Sequence, residues 1–113
     1  MDLTDFRLLV GIVDTGSVTR GAERAFLSLP AASNRVKQLE SELAVSLLTR
    51  SSRGVTPTPA GIAFSQHART ILRELESLSY QEIADELELP VSTVRGAIAR
   101  ARKALAVAMA EWR

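Results

Sequence analysis

Two segments of this 113-residue chain each have the pattern of a short helix, a tight turn and a second helix. The first segment spans about residues 17–42 and the second about residues 79–103, so little of the chain is left for other elements. In each segment the second helix opens with small, polar or basic residues. The pattern predicts a mainly α fold built around two helix-turn-helix units.

The first unit has clear helix signals. Ser17 and Ser28 are suited to cap helices, and Pro30 falls in a first helical turn, where its missing N–H costs little. We expect the turn at residues 27–30. The first helix is expected to bury Val18, Ala22, Ala25 and Phe26, and the second helix Ala32, Val36, Leu39 and Leu43.

A small hairpin is expected next. Residues 47–50 and 55–57 have β-like character, and residues 51–54 form a polar turn between them. Helices followed by such a hairpin describe a winged helix-turn-helix, assigned here to residues 1–58. The predicted fold is therefore a winged helix-turn-helix with a β-hairpin wing, a linker helix and a second, carboxy-terminal helix-turn-helix.

The linker helix, residues 59–78, carries apolar residues at intervals of 4, 3, 4 and 3, which is typical of a coiled-coil seam. Ser79 and Glu82 have the spacing of a capping box, which predicts a new helix from Ser79. The sequence leaves both outcomes open for the helix from Pro59: it ends at Leu78, or it runs unbroken into the second unit. The carboxy-terminal helix-turn-helix, residues 79–113, is expected to turn at residues 88–90 and to begin its last helix at Val91 or Ser92.

The last helix has its own apolar stripe from Val94 to Trp112, which is typical of a core or of a dimer seam. Together with the linker helix it supplies the dimerisation residues that we predict: Phe64, Ala68, Ile71, Leu75, Leu78, Ile98, Leu105 and Trp112.

The formal net charge of +1 conceals a segregated distribution. The charge sums to +2 over residues 28–58, −4 over 80–90 and +4 over 91–113, so the positive blocks coincide with the second helix of each unit, together with the wing in the first. Segregated charge of this kind steers a polyanion toward one face. The chain has no cysteine and no apolar run of membrane-spanning length, which favours a cytoplasmic protein without disulfides or a membrane partner.

Catalytic chemistry has little support. The one histidine, His67, has no second histidine or cysteine to complete a metal site, and no serine or carboxylate is placed to pair with it. We expect no cofactor, no metal and no enzymatic activity.

Residues 1–76 resemble the DNA-binding domain of LysR-type transcriptional regulators. The resemblance rests on DTGSVTRGAER at 14–24, LSLPAAS at 27–33, LESEL at 39–43, Arg50, and RGVTPTPAG at 53–61. It implies a homodimer that binds double-stranded DNA through a recognition helix and a wing, and in which the helix after the wing forms the dimer. Leu29, Ala44 and Leu48 depart from the family, which commonly has Gln, Gly and Phe there.

The expected DNA contacts follow from this arrangement. Helix N-termini can bind phosphates, early side chains of the recognition helix can read base edges in the major groove, and wing cations can bind phosphates or the minor groove. At Leu29 we expect apolar contact with a thymine methyl, or no contact. The predicted residues of the first unit are Ser17, Thr19, Arg20, Ser28, Leu29, Pro30, Ala31, Ser33, Asn34, Arg35, Lys37, Arg50 and Arg53.

Residues 78–106 resemble a different family, the region-four domain of sigma factors, especially those of the extracytoplasmic-function group. LSYQEIA at 78–84, LPVSTVR at 89–95 and ARARKAL at 99–105 carry the resemblance, and Gly96 departs from it. Such domains read the promoter −35 element, which implies Ser92, Thr93, Arg95 and Arg100 as further DNA contacts. The join near Ser77 resembles a fusion.

Two functions follow as expectations. The first is a sequence-specific DNA-binding transcriptional regulator, acting as a homodimer without an effector-binding domain. The alternative is a protein–protein interaction module in which the carboxy-terminal unit mediates dimerisation or contacts RNA polymerase or an inhibitor. Loss of function in Arg35→Ala with Asn34→Ala, at unchanged oligomer mass, would favour DNA reading.

Overall fold

A computed structural model describes the backbone of residues 1–85 and 91–112 and the side chains of residues 1–75 and 99–112. In chain order the elements are α1 (Leu3–Thr15), α2 (Val18–Arg24), α3 (Leu29–Leu43), β1 (Leu48–Ser51), β2 (Gly54–Pro57), α4 (Pro59–Asp85) and α5 (Val91–Met109), and a 3₁₀ turn follows at Ala110–Trp112. The predicted mainly α fold with a β-hairpin wing is confirmed.

The first helix is fixed at both ends. The Asp2 carboxylate accepts a hydrogen bond of 3.1 Å from the Asp5 amide, and the Asp5 carboxylate accepts one of 2.9 Å from the Asp2 amide. This reciprocal pair is a capping box, here with Asp at both positions. The helix ends at Gly16, whose φ of 68° is the left-handed conformation that glycine adopts readily.

A close helix crossing sets the angle between α1 and α2. A Cβ atom added to Gly21 would lie 2.4 Å from Ile12 Cγ1 and 2.8 Å from the Ile12 amide nitrogen. The two backbones can approach this closely only because Gly21 has no side chain. The crossing therefore positions α2, the first helix of the helix-turn-helix, directly on α1.

The prediction that Phe26 faces inward is wrong. The second helix ends at Arg24, Ala25 is its C-cap, and Phe26 has a φ of 58° and is 95% exposed. Because the helix ends before Phe26, the helical spacing that placed this ring beside Val18 and Ala22 no longer applies. The turn also lies earlier than predicted, since α3 already begins at Leu29.

The third helix shows the predicted inner face. Ala32, Val36, Leu39 and Leu43 are buried, with at most 2% of each residue exposed. Ser28 is the N-cap and Pro30 lies in the first turn, as predicted. The C-cap is Ala44, with a φ of 57°, so an alanine holds the left-handed conformation for which glycine is better suited.

The wing is an antiparallel hairpin in which Leu48 pairs with Pro57 and Ser51 with Gly54. Leu47 and Leu48 are buried in the helical core, which anchors the first strand. The amide of Val55 donates a hydrogen bond of 3.2 Å to the Gly16 carbonyl, which fastens the second strand to the end of α1. The arginines of the hairpin are left in solvent.

The predicted helix start at Ser79 is wrong, because α4 runs without interruption from Pro59 to Asp85. The sequence contains neither glycine nor proline between Gly61 and Pro90, so nothing in the backbone terminates the helix near residue 78. The predicted boundary between the linker helix and the carboxy-terminal helix-turn-helix therefore falls inside one helix. The predicted start of the last helix at Val91 is confirmed, and the predicted turn at residues 88–90 lies outside the described residues.

The coiled-coil interpretation of α4 also needs correction. Phe64, Ala68 and Ile71 are buried within a single chain, and the Phe64 ring meets the Phe6 ring edge-on at a centroid distance of 6.0 Å. Leu105 and Met109 of α5 are buried in the same core. The apolar spacing of α4 thus reflects packing against α1 and α5, and these side chains are not free to form a seam with a second copy.

The remaining predicted dimerisation residues differ in how far they are buried. Leu75 packs, partly buried, against the same core, whereas Trp112 is 37% exposed. The side chains of Leu78 and Ile98 lie outside the described residues.

Candidate nucleic-acid interface

The N-termini of α2 and α3 are both capped by serine. Ser17 Oγ accepts a hydrogen bond of 3.2 Å from the Arg20 amide, and Ser28 Oγ accepts one of 3.3 Å from the Ala31 amide. Each hydroxyl can still donate its own proton, and the other amides of the first turn remain directed out of the helix. Both helix starts can therefore bind phosphate oxygens, as the sequence predicts.

The solvent-facing side of α3 carries most of the predicted recognition residues. Leu29, Pro30, Ala31, Asn34 and Lys37 are exposed, and Ser33 is partly buried. Thr19 and Arg20, early in α2, are exposed as well. These residues lie on helix surfaces that the core leaves free, so they are accessible to a nucleic-acid groove.

Arg35 does not belong to this exposed face. Its Nη1 atom lies 3.1 Å from an Asp5 carboxylate oxygen and 3.2 Å from one of Asp2, which ties α3 to the start of α1. The Asp5 side chain is only 12% exposed, so this ion pair is partly withdrawn from water. Arg35 is predicted as a base-reading residue, but in this arrangement its Nη1 atom is engaged by both carboxylates.

The electrostatics of this cluster favour the charged forms. Hydrogen bonds to Asp5 and then to Asp2 raise the pKa of the Arg35 guanidinium above its ordinary value. Burial raises the pKa of Asp2, but the hydrogen bond from the Asp5 amide and those from Arg35 outweigh it and hold that pKa below its usual range. The Arg35–Asp2 pair therefore remains ionised at neutral pH, and Arg35 acts as a structural clamp between α3 and α1.

The wing presents two cations. Arg50, on β1, and Arg53, in the turn between the strands, are both exposed. Neither has a carboxylate within ion-pairing distance among the pairs of the described residues. Their charges are therefore available to phosphates, in agreement with the predicted role of the wing.

Hydrogen bonds fix the wing relative to α3. Glu40 Oε2 accepts 2.8 Å and 3.3 Å hydrogen bonds from the Leu47 amide and the Ser46 hydroxyl, which join the third helix to the beginning of the hairpin. At its other end Thr58 Oγ1 donates to the Ser46 carbonyl at 2.7 Å and accepts from the Gly61 amide at 3.0 Å. Because both strand ends are tied down, recognition helix and wing form one preorganised surface.

The carboxy-terminal candidates are only partly described. The side chains of Ser92, Thr93 and Arg95 lie outside the described residues, whereas Arg100 is exposed on α5. Arg102 of α5 lines a surface cleft together with Asp2, Arg35 and Glu42.

Phe26 is the residue of this surface that sequence reasoning missed. It lies in the turn that joins the two helices of the helix-turn-helix, two residues before Ser28, the cap of α3. A signal was present in the sequence, because Ser28 and Pro30 mark a helix start that leaves too few residues for Phe26 to remain in the preceding helix.

The described part of the chain offers few other kinds of site. None of its helices combines the length and the apolar character needed to cross a membrane. Within the same residues, His, Asp and Glu form no group that could hold a metal ion.

Comparison with known proteins identifies both units. Residues 3–62 match the family described as bacterial regulatory helix-turn-helix protein, lysR family, and residues 71–105 match sigma-70, region 4. The nitrogen assimilation regulatory protein nac of Klebsiella aerogenes is 49% identical over 76 residues, which are 67% of this chain and 25% of that protein. The DNA-binding transcriptional dual regulator OxyR of Escherichia coli K12 is 38% identical over 78 residues, 69% of this chain and 26% of OxyR. The chain thus spans about a quarter of the length of the curated relatives that it matches.

Solved structures agree with the sequence match. The CbnR DBD–DNA complex has a TM-score of 0.69 at 30% identity and covers 77% of this chain and 100% of the CbnR chain. The complex of the BenM DBD with benA site 1 DNA has a TM-score of 0.70 at 30% identity, covering 79% and 100% of the two chains. With more than half of its residues matched by the family and its winged helix-turn-helix shared with these domains, the chain belongs to the lysR family of bacterial regulatory helix-turn-helix proteins.

Proposed function

We propose that this protein is a sequence-specific DNA-binding transcriptional regulator that acts in the bacterial cytoplasm. The start of α3 enters the major groove, where Ser33 and Asn34 read base edges, and the wing arginines hold adjacent phosphates. One observation carries the proposal. Asn34 and Lys37 are exposed on α3, Arg50 and Arg53 are exposed on the wing, and hydrogen bonds of Glu40 and Thr58 hold both ends of the wing in place beside that helix.

The relatives support this proposal. CbnR and BenM share the fold, and their DBDs are seen in complexes with DNA. Relatives matched over two-thirds of this chain are transcriptional or nitrogen-assimilation regulators. Assignment of the same activity to this chain rests on that similarity together with the exposed polar and basic residues described above.

The protein acts as a homodimer in this proposal, with two recognition helices about 34 Å apart in successive major grooves. Since Phe64, Ala68 and Ile71 are buried within one chain, the second copy would contact other apolar side chains. Val107, 68% exposed, and Trp112 lie at the carboxy-terminal end, and Ile62, 45% exposed, lies at the start of α4. These residues support assembly through the outer sides of α4 and α5.

A fluorescence titration of a labelled duplex, chosen from a random pool, tests DNA binding at several salt concentrations. Affinity should fall steeply with salt, because each phosphate contact releases counterions. Asn34→Ala should weaken binding to the selected site by about 5- to 150-fold while leaving affinity for unrelated DNA nearly unchanged. Arg73→Ala, which removes an exposed cation of α4 outside the interface, is the control. No measurable affinity at low salt would refute the proposal.

A second candidate function has its own support in the match of residues 71–105 to sigma-70 region 4. In this alternative the carboxy-terminal unit mediates dimerisation or contacts RNA polymerase or an inhibitory protein. Arg100→Ala distinguishes it from the first proposal. Normal DNA affinity combined with lost retention of purified polymerase would support the interaction module.

A further inference from the structure

Phe26 is the most exposed large apolar side chain of the described residues, with 95% of its surface in solvent. Its backbone has a φ of 58°, a region in which residues other than glycine and asparagine are uncommon. The fold gains almost no burial from the ring, and the strained backbone would be better served by asparagine or glycine. A residue that serves the fold so poorly at this position points to a contact outside the chain.

The neighbours of Phe26 extend its apolar character. Leu29, the first residue of α3, is 47% exposed, and Pro30 and Ala31 after it are exposed as well. Ser28 is the polar residue in this stretch, and its Oγ accepts the hydrogen bond from the Ala31 amide. The leading edge of the recognition helix therefore offers apolar surface where a base-reading helix would otherwise present hydrogen-bonding side chains.

The chemistry of the major groove limits what such an edge can recognise. Guanine, cytosine and adenine present hydrogen-bond donors and acceptors there, whereas thymine also presents its C5 methyl group. Apolar side chains placed on the polar edges would remove water without replacing its hydrogen bonds. A thymine methyl is the groove feature that gains from contact with them.

We propose that Phe26 and Leu29 form an apolar rim that recognises the methyl groups of thymines at the edge of the DNA site. This inference rests on the proposed function and specifies which base feature the start of α3 selects. Arg20 and Lys37 are exposed on the two helices that the turn connects, and their charges attract a polyanion. The same charges favour DNA over an apolar protein partner.

The test replaces thymine by deoxyuridine, one position at a time, in the selected duplex, and measures the affinity of the full 113-residue chain. Deoxyuridine lacks only the C5 methyl and keeps the base pair. Removal of a contacted methyl should weaken binding about fourfold at one or two positions, as expected for the loss of one buried methyl group. Phe26→Asn, which suits the left-handed backbone, and Leu29→Gln, which restores hydrogen-bonding ability, are the matched variants.

Each variant should lose sensitivity to deoxyuridine at the position that its side chain contacts and should keep it elsewhere. Sequence-specific binding by the original protein without any deoxyuridine effect would overturn the inference and leave the proposed function intact. If Phe26→Asn and Leu29→Gln both leave every affinity unchanged, the inference is also overturned, and a protein partner for the exposed ring becomes the explanation. Failure of the original protein to bind any duplex at low salt would instead refute the proposed function, and the inference with it.

Discussion

Arg35 and Asp5 are separated by 30 positions in the chain, and their side chains meet at 3.1 Å between Arg35 Nη1 and an Asp5 carboxylate oxygen. Asp2 joins the pair through the same guanidinium nitrogen. Arg35, which the sequence predicts to read DNA from the recognition helix, therefore holds that helix against α1.

Arg35→Ala should destabilise the fold by about 1–3 kcal/mol, because it leaves the largely buried Asp5 carboxylate without its cation. Urea unfolding followed by circular dichroism measures the loss. Lys37→Ala, which removes an exposed cation from the same helix, should change stability by less than about 0.5 kcal/mol. Well below the unfolding transition, Arg35→Ala should bind selected DNA with nearly unchanged affinity. A large loss of specific affinity at unchanged stability would restore Arg35 as a reader.

Ala44→Gly should stabilise the protein by about 0.5–1 kcal/mol, because the C-cap of α3 has a φ of 57° that glycine adopts without steric cost. Ala104→Gly, at an exposed position inside α5, should have the opposite sign and destabilise by about 1 kcal/mol. Thermal unfolding of the two variants gives the comparison. Equal effects of the two substitutions would contradict a left-handed cap at Ala44.

Leu105→Ala tests whether α5 completes the core of one chain. Leu105 is 1% exposed, so its truncation should cost about 2–5 kcal/mol, whereas Val107→Ala, at a position 68% exposed, should cost little. The stability lost in Leu105→Ala should be the same at low and high protein concentration. If it shrinks as the protein is concentrated, Leu105 belongs to an interface between copies instead.

Arg53→Ala should reduce the salt dependence of DNA binding. If the wing arginine neutralises one phosphate, the slope of log affinity against log salt concentration should become less steep by about 0.9, and affinity for all sequences should fall alike. Titrations between low and moderate salt give the slope. Arg73→Ala should leave it unchanged, and an unchanged slope in Arg53→Ala would place the wing away from the DNA backbone.

The ion pair between Asp14 and Arg69 should make stability depend on pH in acid. Hydrogen bonding by Arg69 holds the pKa of Asp14 below its ordinary value of 3.8, so the folded state favours the carboxylate. The stability that the ion pair contributes is fully present at pH values above the ordinary pKa of the carboxyl. It is lost as the pH falls through the lower pKa of the folded state.

Asp14→Asn should therefore be less stable than the original protein at neutral pH, and the difference should vanish in strong acid. Both side chains are about one-third exposed, so the difference should not exceed about 1 kcal/mol. Urea unfolding at a series of pH values from neutral into strong acid follows it. A difference that persists at the acid limit would mean that Asp14 contributes by packing rather than by charge.

Local signals in the sequence located most of the first unit. The serine caps at residues 17 and 28, the proline at residue 30 and the polar turn at 51–54 each act within a few residues, so they define helix starts and the wing directly. The motif resemblance then identified the family. The exposure of Phe26 was not predicted. The helix ends two residues earlier than its periodicity suggests, and the Phe26 side chain is therefore left in solvent.

What the sequence determined by itself was the elements of the first unit and the exposed face of α3, because capping and periodicity depend on near neighbours. Tertiary structure alone decided what the apolar stripe of α4 packs against and what Arg35 binds. A stripe of Phe64, Ala68 and Ile71 looks the same whether it meets a second copy or α1 and α5 of its own chain. Likewise, an arginine on a helix gives no local sign that two carboxylates from the amino terminus will reach it. Both outcomes depend on which distant surfaces the folded chain brings together, and hydrophobic spacing and charge do not encode that choice locally.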